Sequence, residues 1–220
     1  MNNEYILTQL CNRYPILYPL RESISEAAEL IIDCYSSGGK LLTCGNGGSS
    51  SDSEHLVGEL MKSFELKRVL KREIALKIIE ISPERGTFLT QKLEGSLPAI
   101  SLTSQTSLTT AISNDIDASL VFAQQVIGYG MDNDMLFAIS TSGNSQNIID
   151  ACITAKAINL KVIGLTGSAG GGMKKYCDVI IKVPEKRTAL IQELHLPVIH
   201  TLCQIIETHF FGAKKCGNES

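Results

Sequence analysis

The stretch Ser140-Thr141-Ser142-Gly143-Asn144-Ser145 follows the apolar run Met135 to Ile139 and precedes the helix-patterned Gln146 to Ile158. Small hydroxyl residues and a glycine between a strand and a helix bring backbone N–H groups, hydroxyls and the positive helix end onto one anion. The same composition also makes an ordinary N-cap that holds no ligand. A second turn changes the balance. Cys44-Gly45-Asn46-Gly47-Gly48-Ser49-Ser50-Ser51-Asp52 follows the strand-like Lys40 to Thr43 and leads into a helical pattern through Leu56 and Leu60. Three glycines in four positions let the backbone adopt positive φ and approach a ligand closely. No Gly-Lys-Ser/Thr follows, and Ser50 stands where the third glycine of G-x-G-x-x-G would be, so no nucleotide is implied. Together the turns predict one small phosphorylated molecule lying across the carboxyl ends of two parallel strands.

Outward from these turns, strands alternate with helices. Strands are expected at 40–43, Ala99–Leu102, 135–140, Lys161–Thr166 and Val179–Val183. Helices are expected at about 51–64, 105–113, 118–129 and 146–159, with a short one near Gly171–Tyr176 and a long one over 188–210. That alternation predicts an α/β fold, a doubly wound, flavodoxin-like sheet of five parallel strands covered on both faces. Residues 1–37 read as an amino-terminal helical segment, with Ile6, Leu10, Ile24, Ala27, Ala28, Ile31 and Ile32 at helical spacing and Pro15 and Pro19 dividing two helices. Residues 62–97 break the rhythm, basic at first, then Ile74 to Ile81, then Ser82-Pro83-Glu84-Arg85-Gly86, and read as an insertion in a single domain spanning 1–220.

Composition narrows the classes. In 220 residues, 44% hydrophobic content is enough for one sizeable core. With 20 basic against 23 acidic residues, whole-protein attraction to nucleic acid is not expected. Cys11, Cys34, Cys44, Cys152, Cys177, Cys203 and Cys216 form an odd set without a C-x-x-C pair, which suits a reducing cytoplasm. Met1-Asn2-Asn3-Glu4 opens no basic leader, and no apolar run is expected to reach membrane-spanning length, so a soluble, cytoplasmic protein with no membrane partner is expected.

His55 and Glu59 lie four apart on a predicted helix, one turn beyond the glycine loop. An imidazole and a carboxylate so placed can share a metal ion or simply form a helix pair. Interconverting an aldose and a ketose requires a base at the carbon beside a carbonyl and an acid at the adjacent oxygen, roles that Glu and His can fill. Gln192 and His200 sit eight apart, about 12 Å on a continuous helix, so one ion does not easily take both. Either Gln192 precedes the first regular turn, with Pro197 near the helix start, or a site gathers residues from two subunits. His195 is kept as a contact behind the site or to substrate.

Taken together, these residues make the chain resemble the sugar isomerase (SIS) domain family and, within it, the phosphoheptose isomerases. The resemblance is carried by Cys44-Gly-Asn-Gly-Gly-Ser49, His55-x-x-x-Glu59, Ser113-Asn114-Asp115, Ser140 to Ser145, Leu165-Thr166-Gly167, Ile191-Gln192-Glu193-x-His195 and Val198-Ile199-His200. It implies an isomerase converting D-sedoheptulose 7-phosphate to D-glycero-D-manno-heptose 7-phosphate through an enediol. Substrate would be bound by Asn46, Gly47, Gly48, Ser49, Asn114, Asp115, Ser140, Thr141, Ser142, Ser145 and Gln192. Zn2+, one per subunit, would be held by His55, Glu59, Gln192 and His200, with Glu59 and His200 also transferring protons. A homotetramer with sites between subunits is implied as well.

Three departures stand against the resemblance. Ala189 occupies a place, three residues before Gln192, where these isomerases typically carry an Asp; a related branch that lacks the activity and binds the bacterial replication initiator also has a non-acidic residue there. Roughly two dozen extra residues separate Glu59 from Pro98, by comparison with ordinary loop lengths. Asp117-Ala118-Ser119 replaces an aromatic-rich turn. The alternative reading is therefore a non-catalytic protein of the same fold that senses a sugar phosphate or binds the initiator.

Overall fold

The computed structural model describes residues 3–212; Cys216 lies outside them. Two helices, α1 (Asn3–Arg13) and α2 (Arg21–Ser36), joined by a 3-10 turn over Pro15–Leu20, precede the sheet. Then come β1 (Leu41–Gly45), α3 (Gly48–Met61), α4 (Arg72–Ile81), α5 (Pro83–Lys92), β2 (Ala99–Ser101), α6 (Thr106–Ile112) and α7 (Val121–Tyr129). β3 (Met135–Ile139), α8 (Gln146–Ala157), β4 (Lys161–Thr166), β5 (Val179–Lys182) and α9 (Thr188–Phe211) complete the order. All pairings are parallel, in the order β2-β1-β3-β4-β5. This is the flavodoxin-like doubly wound arrangement the alternation predicts.

Period-two alternation divides the strand side chains between two cores. Leu41, Met135, Phe137, Ile139, Ile163 and Leu165 face α2, α3 and α9, whereas Leu42, Cys44, Leu136, Ala138 and Val162 face α7 and α8. Every residue of β1 and β3 is buried, as expected for strands covered on both sides. Hydroxyls pin α3 to the sheet: Ser53 Oγ lies 2.7 Å from Thr43 Oγ1 on β1 and 2.9 Å from Ser101 Oγ on β2.

Expected and observed boundaries differ mostly by one to three residues. α3 begins at Gly48 rather than about 51, because Gly47 at φ 56° and ψ −122° turns the chain directly into the helix. Residues 72–92 form a helical hairpin. Its Ile-rich first arm is unlike a good helix in isolation, but Gly86 lets α5 approach so closely that a Cβ there would lie 2.7 Å from Ile79 Cα.

Among the described residues α9 is long and apolar enough on average to cross a membrane, with 56% of the relevant window buried inside the molecule. Gln192, Glu193, His195, His200, Gln204 and Glu207 interrupt it, so no unbroken apolar run reaches spanning length. Ile191, Val198, Ile199, Leu202, Ile205 and Ile206 pack in the core formed with α2 and α3. The six described cysteines are free thiols.

Candidate active site

The topological switch point falls between β1 and β3, where ligands of open α/β sheets bind. Both glycine- and serine-rich turns leave those two strands. In the first, Gly45 is obligatory, since a Cβ would stand 2.2 Å from the Ser49 carbonyl oxygen. In the second, Gly143 has φ 66° and packs against the Gly170–Gly171 backbone, where a Cβ would lie 2.2 Å from Gly170 O. The buried Ser140 Oγ accepts from Gly143 N at 3.2 Å and lies 3.3 Å from Ser145 Oγ. Thr141 and Ser145 are half-buried, Ser142 is exposed, and no side chain caps the α8 N-terminus.

A reciprocal amide pair locks the turns together. Asn46 Nδ2 donates to Asn147 Oδ1 and Asn147 Nδ2 donates to Asn46 Oδ1, each at 2.9 Å. Asn147 was not among the sequence candidates. Its signal lay in adjacency: only the side-by-side pairing of β1 and β3 makes the two amides neighbours. Asn114 and Asp115, by contrast, sit exposed in a π-helical turn over Ser113–Asp117, hydrogen-bonded to each other at 2.7 Å.

α3 and α9 run side by side in the same direction. Gln192 lies against Gly48 at the start of α3, where a Cβ would be 2.3 Å from Gln192 Nε2. Farther along, His200 Nε2 lies 3.2 Å from His55 Nε2, and His55 Nε2 is 3.4 Å from Glu59 Oε1. Phe64 backs His200 with ring centroids 5.4 Å apart. Lys62 Nζ donates to Glu59 Oε2 at 3.0 Å. Burial chiefly, and then His55, push the His200 ring below the usual imidazole range, so it is neutral near pH 7. A contact between two ring nitrogens at 3.2 Å requires one to donate and the other to accept.

α9 is continuous through Pro197, so the reading in which Gln192 precedes its first regular turn is overturned. Gln192 is in the helix, and the eight-residue rise, about 12 Å, separates it from His200. His195 instead faces the core near Thr166, fully buried, with neither ring nitrogen hydrogen-bonded; burial lowers its pKa to about 4, with the Thr166 backbone opposing. Ala189 is exposed in the first turn of α9.

His55, Glu59 and His200 are zinc-type donors, and their 3.2 Å and 3.4 Å spacings match the roughly 3.3 Å edge of a tetrahedron with 2.0–2.1 Å bonds. They form a chain with His55 in the middle. Among the described residues no three His, Cys, Asp or Glu side chains form a group that could hold a metal ion as they stand. The fit is thus one of donor type and spacing, and Gln192 of the same chain lies outside it.

Comparison with known proteins agrees with this architecture. A family model described as the SIS domain matches residues 16–96 and 77–167. A phosphoheptose isomerase of Campylobacter jejuni subsp. jejuni serotype O:6 is 40% identical over 191 residues, covering 87% of this chain and 89% of the relative. One from Clostridium acetobutylicum is 38% identical over 193 residues, covering 88% and 85%. The solved structure of phosphoheptose isomerase GmhA from Neisseria gonorrhoeae is 36% identical, with TM-score 0.72, covering 89% of this chain and 91% of that one.

Proposed function

The chain belongs to the phosphoheptose isomerases of the SIS-domain family, and from that premise we propose that it converts D-sedoheptulose 7-phosphate into D-glycero-D-manno-heptose 7-phosphate through a cis-enediol. The observation that carries the reading is the meeting of His55, Glu59 and His200 within 3.4 Å in a chain with two anion-binding turns at its switch point. In the reading, Glu59 takes the proton from the carbon beside the carbonyl and returns it to the neighbouring carbon. His200, whose ring is kept neutral near pH 7 by burial, passes a proton between the two oxygens. Ser140, Thr141, Ser142 and Ser145, with Asn46, Gly47, Gly48 and Ser49, hold the phosphate end, and Asn114 and Asp115 the sugar hydroxyls. Bound by His55, Glu59 and His200, zinc would supply a Lewis acid for charge developing on the sugar oxygen.

Dimensions support a site shared between copies. Glu59 lies eleven residues beyond Gly48 on α3, about 16 Å of rise. A seven-carbon sugar phosphate spans roughly 9 Å from its phosphate to the reacting carbons, given ~1.5 Å bonds. One chain's cradle and its own Glu59 therefore do not serve one substrate molecule. In a homotetramer with sites between subunits, as the resemblance implies, a second copy would supply the missing half, which would also relieve the separation of Gln192 from His200. The free thiols suit placement in the cytoplasm.

Proton NMR of the protein with sedoheptulose 7-phosphate in D2O, with and without zinc, tests the reading. An aldoheptose phosphate that appears with wild type and not with Glu59→Gln or His200→Asn supports it. No turnover by folded protein would leave a sugar-phosphate or initiator-binding protein. Sedimentation as a monomer at every concentration, with activity intact, would overturn the shared site.

A further inference from the structure

Between the end of α3 and the second half of α9 the structure buries an ion pair completely. Arg68 and Glu207 are each 1% exposed, and Arg68 Nε meets Glu207 Oε1 at 2.7 Å. The rest of the guanidinium turns elsewhere. Nη1 donates to the Leu60 carbonyl at 2.6 Å and Nη2 to the Glu59 carbonyl at 2.8 Å. These are among the last four carbonyls of α3, which no N–H of that helix reaches, and a cation there also meets the negative helix end. Glu207 accepts the N–H groups of Phe64, Glu65 and Leu66 at 2.8, 2.8 and 2.9 Å. Phe64 in turn carries the ring that backs His200.

The geometry points to Arg68 and Glu207 as positioning residues of the isomerase centre, holding Glu59 by its own carbonyl and His200 through Phe64; this rests on the reading of Glu59 and His200 given above. Stability alone is a poor reason for such a pair, because apolar side chains of similar volume commonly serve as well in a buried site. What the pair adds is direction. A guanidinium is a planar fork with fixed donor angles, and this one divides its donors between a carboxylate on α9 and two successive carbonyls on α3. His200 and Glu207 lie seven residues apart, two turns of one helix, so the fork sets the roll and height of α3's end against the face of α9 that bears His200. A proton-transfer pair displaced by about 1 Å loses on the order of 100-fold in rate, which is the sensitivity such a fixture guards.

The test compares thermal unfolding, kcat and KM for three variants in the isomerase assay. Arg68→Lys keeps the charge and loses the fork. Arg68→Met combined with Glu207→Gln removes both buried charges and keeps an acceptor for the Phe64 to Leu66 N–H groups. Phe64→Leu removes only the ring, at a half-buried position, and stays informative should the other two fail to fold. Expected is a kcat fall of roughly 10- to 100-fold for the first two and 3- to 10-fold for Phe64→Leu, with KM within about twofold of wild type, in protein that melts cooperatively. Wild-type kcat in a folded fork variant, or in Phe64→Leu, would overturn the assignment. So would kcat and KM worsening together in step with lost stability, which would make the pair a structural fixture only. A wild-type protein that fails to turn over would overturn the isomerase reading itself, and this assignment with it.

Discussion

Gly48→Ala is a sensitive probe of how the top of the site is assembled. A Cβ there would stand 2.3 Å from Gln192 Nε2 and 2.9 Å from its Cδ, whereas ordinary contact begins near 3.4 Å. The amide must therefore retreat by about 1 Å. It is the far end of a three-torsion side chain, so it can swing aside at about 0.5–1.5 kcal/mol. Alanine is favoured over glycine inside a helix by up to about 1 kcal/mol, which offsets most of that. The net change should move Tm by no more than about 3 °C in a protein of this size. Gly45→Ala is the contrast, because its Cβ would meet the Ser49 backbone at 2.2 Å, and backbone cannot step aside. Gly48→Ala should thus melt like wild type and yet lose at least about tenfold in kcat/KM, by displacing Gln192 from substrate or metal. Unchanged kcat/KM in a stable variant would remove Gln192 from the site. A Tm drop beyond about 8 °C would refute the argument that its amide is free to yield.

Acid sensitivity should trace in part to His195, whose buried ring is lowered to about 4 from the ordinary 6.5. Between those values the unfolded chain binds the extra proton and the folded chain does not, so this contribution is complete above pH 6.5 and lost as pH falls toward 4, up to about 3 kcal/mol. Melting curves from pH 7 to 4.5 should fall more steeply for wild type than for His195→Leu, and equal slopes would sink the attribution. Excising residues 70–93 and joining the ends with a short glycine linker should leave a folded enzyme. The Gly95 N–H already donates to Arg68 O at 3.0 Å, and no residue of α4 is buried. Loss of cooperative melting in that variant would show that the hairpin belongs to the core.

The sheet was legible because its signals are local. Buried runs bounded by glycine and serine turns place all five strands, and two anion turns after successive inner strands point to the switch between them. His55 and Glu59 were legible for the same reason, since helical spacing alone puts them on one face. What escaped was whatever depends on distant segments meeting. Asn147 reads as any polar residue in a first helical turn until β3 lies beside β1. Arg68 reads as one more cation in a basic stretch until α9 brings Glu207 to it, 139 residues later. The hairpin escaped because α4 buries no residue of its own, and the close approach at Gly86 that pairs it with α5 depends on two segments meeting.

The parallel run of α3 and α9 gives the molecule a division of labour along one axis. At the upper end, Gly48 meets Gln192 and the locked turns face the switch point; about two helical turns lower, His55 meets His200, and below that Arg68 and Glu207 close the pair. The packing of α3 against α9 sets the separation of these levels, which on the proposed reading keeps a copy's turns away from its own Glu59. On the proposed shared site, association would supply the missing half without opening the core that the same two helices form. Changes in the turns should therefore act mainly on KM, and changes at the lower end mainly on kcat. If the site is shared as proposed, changes that separate the copies should act on both, even when they touch no residue of either level.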